Sequence, residues 1–414
     1  MKFDVFDPDF YAGDPFPTYA TLRREDPVHW DEKNQVWVLS RYADVVKVSK
    51  NPQVFCNRFG VTREDTPISI ITMDDPRHSQ LRRLISRGFT PRIVSTMERR
   101  IDEVTTASID AIAERGGCDF AGDLAVPLPL LVIAEMIGVR PEDQDVFHEW
   151  SDAMILAASQ QDRPEIITAA TDAYLAYTSY LQEIFAERRR EPRDDLVTIL
   201  LQAQEDGTLA KDDENISADE LLQFMTILLV AGNETTRNAI SGGMVALSEN
   251  PDEWRRLREN PELLPLAVEE ILRWVTPVVG FRRSVLEDTE IRGQPIRTGE
   301  RVVMLYQSAN RDEEAFVDAD RFRVDRRPND HLAFGIGTHF CLGANLARAE
   351  IRVMFRELIR RLPDIRMAPG ARPEMVRSAL VRGIASLPVV FTPEQKTRAV
   401  GVAADASADA ALAS

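Results

Sequence analysis

The stretch FGIGTHFCLG, Phe334–Gly343, places one cysteine, one histidine and three glycines in a run without a single charge. The residues that follow, ANLARAEIRVMFRELIRRLPDI, carry Ala347, Ile351, Met354, Phe355, Leu358 and Leu362 at the spacing of one helix face. Cys341 is therefore expected just before a helix N-terminus. Unpaired N–H groups and the positive end of the helix dipole lie there, and both favour thiolate over thiol. Gly335, Gly337 and Gly343 would let the backbone adopt positive φ or lie close to something flat.

A thiolate in a glycine cage serves as a nucleophile, a redox thiol or a metal ligand. A nucleophile wants a base, and His339 lies two residues away in the same loop. A redox dithiol wants a second cysteine nearby, and Cys56 and Cys118 are far off in sequence. Structural zinc wants four ligands, but one His-x-Cys stands here without a Cys-x-x-Cys. An axial thiolate on haem iron needs one cysteine and a close-packed loop. Taken alone, Cys341 is equally well read as a buried free cysteine.

The chain has 414 residues, 44% of them hydrophobic, and a formal charge of −17. That charge argues against nucleic acid and anionic lipid as main partners. Three scattered cysteines suit a reducing compartment better than a disulfide framework. The first residues, MKFDVFDPDFYAGDPF, are acidic and broken by prolines, so no signal peptide is read. The longest apolar run is taken as ILLVAG, 227–232, too short to span a membrane. No membrane anchor and a cytoplasmic location are expected.

VHW (28–30) and VWVLS (36–40) flank DEKNQ and read as a β-hairpin. From Asp75 to about residue 275 the pattern is mostly helical, and strand-like pieces return at 301–306 and 387–391. The clearest helix is SADELLQFMTILLVAGNETTRNAISGGMVALSENP. Ser217 with Glu220 forms a capping box, and Pro251 ends the run. Its centre is apolar nearly all round, so it should cross the core. AGNETT, Ala231–Thr236, is a polar cluster at its midpoint, costly to bury unless partnered. A helix that surfaces there is the plain alternative.

Several motifs together make the sequence resemble the cytochrome P-450 superfamily of haem-thiolate monooxygenases, especially its soluble bacterial members. FGIGTHFCLG looks like the haem-binding loop, and AGNETT like the oxygen-activating segment. EEILR (269–273) matches Glu-x-x-Arg as Glu270 and Arg273. DADRF (318–322) looks like the later Arg-Phe segment, and DDPRHSQLRRLISRGFTPR (74–92) like a haem-flanking helix. The resemblance implies a mainly α fold with a small β portion. It implies one triangular-prism-like domain over 1–395, with haem between the long central helix and the cysteine loop, and 396–414 as a C-terminal tail.

By that resemblance Cys341 ligates the iron of heme b (iron protoporphyrin IX), and Phe334 shields the sulfur. His78, Arg82, Arg283 and His339 meet the propionates, with Arg282 as the neighbouring choice. Gly335 and Gly343 bring the loop close, and Ala231 with Gly232 leaves room for O2. Glu234 and Thr235 form the acid–alcohol pair that relays protons. Glu270, Arg273 and Arg321 form a structural triad behind the loop. The substrate pocket draws on Ile70, Ile71, Val230, Val278, Val279 and Leu380, with Ile68, Met154, Ile155 and Val381 nearby.

Those side chains are mostly aliphatic, which points to a lipophilic substrate such as a terpenoid, steroid, fatty acid or polyketide. No flavin or nicotinamide module is present, so electrons from NAD(P)H must arrive through other chains. Between Asp75 and Glu98 there is no acidic residue but five arginines, 77, 82, 83, 87 and 92. A ferredoxin or flavodoxin with its NAD(P)H-dependent reductase is expected to dock near Arg77, Arg83 and Arg87. Two rivals keep the fold: a peroxide-driven peroxygenase, and a non-catalytic haem protein that senses a ligand.

Overall fold

The computed structural model describes residues 3–159, 163–193, 195–205 and 217–394. The stretch 396–414 expected to form a tail lies outside them. The architecture is mainly helical with small sheets, as the motifs implied.

The long helix Ala218–Glu249 forms the spine of the molecule. Ser217 Oγ accepts from the Glu220 N–H at 3.1 Å, and Glu220 Oε2 accepts from the Ser217 N–H at 2.9 Å, so two of the orphan N–H groups at this helix end are satisfied. The helix stops at Asn250, and Pro251 opens the next one, Pro251–Glu259. At about 1.5 Å per residue the long helix spans roughly 50 Å. It packs against Pro127–Ile137, Leu264–Val275 and Ala344–Arg361. A Cβ at Gly232 would stand 2.5 Å from Ile133 Cδ1. A side chain at 232 would therefore displace the tip of Ile133, so close helix–helix contact favours glycine here as well as the room for O2 that the motif implied.

The AGNETT segment does not surface. Asn233, Glu234 and Thr236 are buried, and polar groups of Asn233 and Glu234 find partners, although Asn233 Oδ1 has none. Asn233 Nδ2 donates to Ser151 Oγ at 2.9 Å, Asn238 Nδ2 donates to Glu234 Oε1 at 2.8 Å, and Glu234 also pairs with Arg237.

The hairpin forms as read, with Trp30 opposite Trp37. Its second strand, Val36–Leu39, runs parallel to Arg301–Leu305, which pairs in turn with Gly280–Val285. Phe55–Cys56 completes this five-stranded sheet. Pro388–Val390 lies between Gly117–Asp119 and Arg366–Met367. The sheet matters to function because Gly280–Val285 delivers Arg282 and Arg283 towards the core.

Residues 227–232 are not the longest apolar stretch. Phe120–Ile137 holds a mean hydropathy of 1.8 over 18 residues, and 67% of that window is buried. Length and composition suit a membrane span, but the segment breaks into Phe120–Ala125 and Pro127–Ile137 and packs against the long helix.

Glu270 sits at 0% exposure at the centre of an ion cluster. Arg273 Nε and Nη2 donate to its two oxygens, each at 2.8 Å. The third member of the cluster is not Arg321. Arg326 Nε takes that place, 2.9 Å from Glu270 Oε2. Arg321 has an exposed side chain and contributes only its carbonyl, which accepts from Arg273 at 3.2 Å and from Arg326 at 2.7 Å. Removing one partner from a buried ion cluster costs about 3–5 kcal/mol, whereas an exposed substitution stays within about 0.5 kcal/mol. Arg326→Ala should therefore lower the urea midpoint sharply and Arg321→Ala barely. Equal losses for the two would refute this assignment.

Glu350 is 1% exposed, and its Oε2 has no hydrogen-bond partner. Burial pushes its carboxyl up from 4.5 to about 8. The folded chain then holds a proton that the unfolded chain has already lost, so this group's contribution to stability falls as pH rises through that window. Glu350→Gln should flatten the decline in urea midpoint between pH 5 and pH 8. Parallel pH curves for the two proteins would rule the effect out.

Candidate active site

One deep cavity lies between the long helix and the cysteine loop, with about 1480 Å³ free of protein atoms including its mouth. From the long helix it takes Phe224, Ile227, Leu228, Ala231, Thr235 and Thr236. From the loop it takes Phe334, Gly335, His339, Cys341 and Gly343.

The loop's shape comes from its backbone. The Gly335 N–H donates to Leu332 O at 2.9 Å, and the Cys341 N–H to Phe334 O at 2.9 Å. Gly337 has φ +81°, and a Cβ there would stand 2.5 Å from Ser49 O, so only glycine fits. Gly343 differs: no protein atom lies within 4 Å of where its Cβ would be, although it lines the cavity. Protein packing does not require a glycine at 343, which suits close approach by a bound group.

The helix begins at Ala344 with Gly343 as its cap, so Cys341 does precede a helix N-terminus. Cys341 is exposed and opens onto the cavity, yet the protein packed around its sulfur pushes the thiol up. The Gly343 N–H, Arg82 and Arg348 pull the other way without prevailing. Arg348 lies 4.6 Å over the Phe334 ring and donates to Glu269 at 2.7 and 2.8 Å. Burial raises the Glu269 carboxyl, but His331 and Arg348 outweigh it and hold the group at about 2.

Four basic side chains converge in the cavity: His78, Arg82, Arg283 and His339. The two imidazole centroids are 4.0 Å apart. Burial, then His78, Arg283 and Arg82, lower the His339 ring to about 2. His78 Nδ1 is buried without a hydrogen-bond partner, with Asp75 3.8 Å away. No carboxylate lines the cavity among the described residues. A cluster of cations and imidazoles with no internal counter-charge fits a group carrying two carboxylates beside a flat apolar face. The choice between the two neighbouring arginines is resolved. Arg283 lines the cavity, while Arg282 turns away to Asp65 and the Arg63 carbonyl.

Other expected residues fall elsewhere. Ile70, Ile71 and Val278 line the cavity; Val230, Val279 and Leu380 do not. Val230 lies five positions from Thr235, and five steps of about 100° put it roughly 140° round the helix. The same arithmetic from Thr235 finds Ala231, which the motif already named, together with Leu228, Ile227 and Phe224, which sequence reading passed over. Glu234 stands behind the cavity wall, held by Arg237 and Asn238. Thr235 Oγ1 donates to Ala231 O at 2.7 Å and keeps its lone pairs for a donor in the cavity. Arg77 is not a free surface cation, because its Nε donates to Glu220 of the capping box at 2.9 Å. Arg83 and Arg87 are exposed; the side chain of Arg92 lies outside the described residues.

A single cysteine in a glycine-shaped loop, facing an apolar cavity ringed by cations at one end, defines a haem-thiolate protein. The cytochrome P450 family model matches residues 153–386. The steroid C26-monooxygenase of Mycobacterium tuberculosis is 42% identical over 94% of this chain and 97% of its own length. Among solved structures, CYP109E1 of Bacillus megaterium in complex with testosterone shares 35% identity at a TM-score of 0.84, over 92% of this chain and 100% of that one. CYP268A2 of Mycobacterium marinum in complex with pseudoionone shares 35% identity at 0.85, over 94% and 99%. The chain belongs to the cytochrome P450 family, and it is a haem-thiolate monooxygenase.

Dithionite-reduced, haem-loaded protein should show a strongly red-shifted Soret band with carbon monoxide, and Cys341→Ser should abolish it. Gly343→Leu should leave the unfolding midpoint of haem-free protein unchanged while haem loading falls. Full loading of that variant would show that nothing lies against Gly343.

Proposed function

We propose that this monooxygenase hydroxylates a steroid or a similarly sized lipophilic molecule. The observation that carries this is the cavity wall of Ile70, Ile71, Phe224, Ile227, Leu228 and Val278, which offers apolar surface and no carboxylate. A relative is named for steroid C26 oxidation and a structural neighbour holds testosterone, which supports the steroid class. Heme b, iron protoporphyrin IX, is the cofactor we assign, and when bound it supplies O2 activation, favoured by thiolate donation from Cys341.

The chain's own residues then divide the work. Arg82 and Arg283 would neutralise the two carboxylates, and the neutral imidazoles of His78 and His339 would orient them by hydrogen bonding. The apolar wall excludes water and holds the substrate by area burial. Thr235 Oγ1 accepts a hydrogen bond from a water in the cavity, and the Glu234 carboxylate behind the wall relays protons towards it. With surrogate redox partners and NADH, a steroid bearing its full aliphatic side chain should gain a hydroxyl at the chain end. Glu234→Gln should lower turnover by roughly 10²-fold, the lower range for general acid catalysis, and leave the substrate-induced spin shift intact. No spin shift and no product from steroids, with turnover of pseudoionone instead, would replace the steroid reading by a terpenoid one.

Electrons are assigned to an acidic ferredoxin or flavodoxin and its NAD(P)H-dependent reductase in the cytoplasm. Docking rests on Arg83 and Arg87, exposed in a chain of net charge −17. Arg83→Glu with Arg87→Glu should slow haem reduction most at low salt, because salt screens steering. Unchanged stopped-flow rates at low salt would move the docking surface elsewhere.

A further inference from the structure

A second cavity lies along the same face of the long helix, nearer its C-terminus, and shares no lining residue with the first. Asn238, Val245 and Glu249 come from the helix; Trp274, Val275 and Ile384 supply apolar wall. Two guanidinium groups, those of Arg311 and Arg382, also line it.

Arg311 is only 6% exposed. Its guanidinium carbon lies 3.2 Å from the Trp274 ring centroid and 4.4 Å from that of Phe16. The aromatic rings take the flat faces, which leaves the N–H edge for hydrogen bonding. That edge makes one hydrogen bond, Nη2 to Trp274 O at 3.1 Å, and Nε has no partner. Arg382 approaches the same Phe16 ring at 5.5 Å, donates from Nη2 to Gly13 O at 3.3 Å, and also has an unpartnered Nε. Neither arginine forms an ion pair among the described residues. Burial lowers Arg311, and the like charge of Arg382 adds to that. Arg382 is half-buried, and Asp14 and Glu249 partly offset its own burial. Arg311 is thus a buried cation without an ion-pair partner among the described residues, which is costly, and an anion beside it would remove that cost.

Asp14 and Glu249 also line the cavity, and both are exposed, so they stand towards solvent. Their charge disfavours a dianion such as phosphate. We propose that this cavity binds a small organic monocarboxylate, its carboxylate against the guanidinium groups of Arg311 and Arg382 and its apolar chain along Trp274, Val245 and Ile384. The occupant lies beside Asn238, whose Nδ2 donates to Glu234 Oε1 at 2.8 Å while its Oδ1 accepts from the Ile384 N–H at 3.1 Å. The site thus adjoins the side chain that fixes Glu234.

Isothermal titration of haem-loaded protein with sodium hexanoate at fixed ionic strength tests this, with hexylammonium and inorganic phosphate as comparators. Hexanoate should bind saturably at one site without moving the Soret band, and neither comparator should. Arg382→Gln, checked for folding by its carbon monoxide band, should weaken binding at least tenfold. Val245→Phe, which fills the apolar arm and leaves both arginines, should do the same. Absence of saturable hexanoate binding overturns the proposal. So does binding that shifts the Soret band and ignores both substitutions, which would place hexanoate in the first cavity, or phosphate binding as tight as hexanoate.

Discussion

The carboxylate of Glu270 is the point on which the rest of the structure depends. It is fully removed from water yet accepts from Arg273, Arg326 and the Arg323 N–H, with Asn329 Nδ2 at 3.3 Å. A charge in that position is tolerable only if every lone pair is met. Meeting them ties the helix Leu264–Val275 to the segment 318–329, a few residues before the cysteine loop. Asn310 continues the tie, since its Oδ1 accepts from the Leu332 N–H at 2.7 Å. The loop therefore leaves a fixed point, and Cys341 is presented at the cavity by a backbone with few remaining choices.

The long helix imposes the second constraint. It crosses the core with one face towards the cavity, so residues at helical spacing from Thr235 become the wall. Its polar midpoint would destabilise a plain core helix. Here Arg237, Asn238 and Ser151 supply partners, so the carboxylate of Glu234 stays buried beside the cavity without opening onto it. The same face, followed towards the C-terminus, borders the second cavity. Asn238 touches both regions and is the physical link between them.

Much of this was legible from local pattern. The capping box at Ser217, the helix stop at Pro251 and the hairpin around Trp30 and Trp37 rest on short-range chemistry, and each appears where spacing put it. The cysteine loop was legible because glycines and a single thiol in fixed order carry their own geometry. Arg326 was not, because two arginine-bearing segments a few residues apart both match a cation near an aromatic. Only the chain path decides which side chain turns inward. Arg77 was misjudged for a similar reason: a cation in an acid-free stretch looks free until Glu220, far away in sequence, is folded against it.

The sequence by itself determined the identity of the thiol, the cations, the Glu234–Thr235 pair and the elements that bear them, because those depend on residue type and near-neighbour spacing. The tertiary structure decided which of two adjacent arginines enters the cavity, which face of the long helix lines it, and which cation completes the Glu270 cluster. It also brought together Arg311, Arg382 and Asn238, whose separation in the chain hides their proximity. Such choices follow from how distant segments pack, since burial leaves room for only one side chain at each place and charges each site for every unmet hydrogen bond.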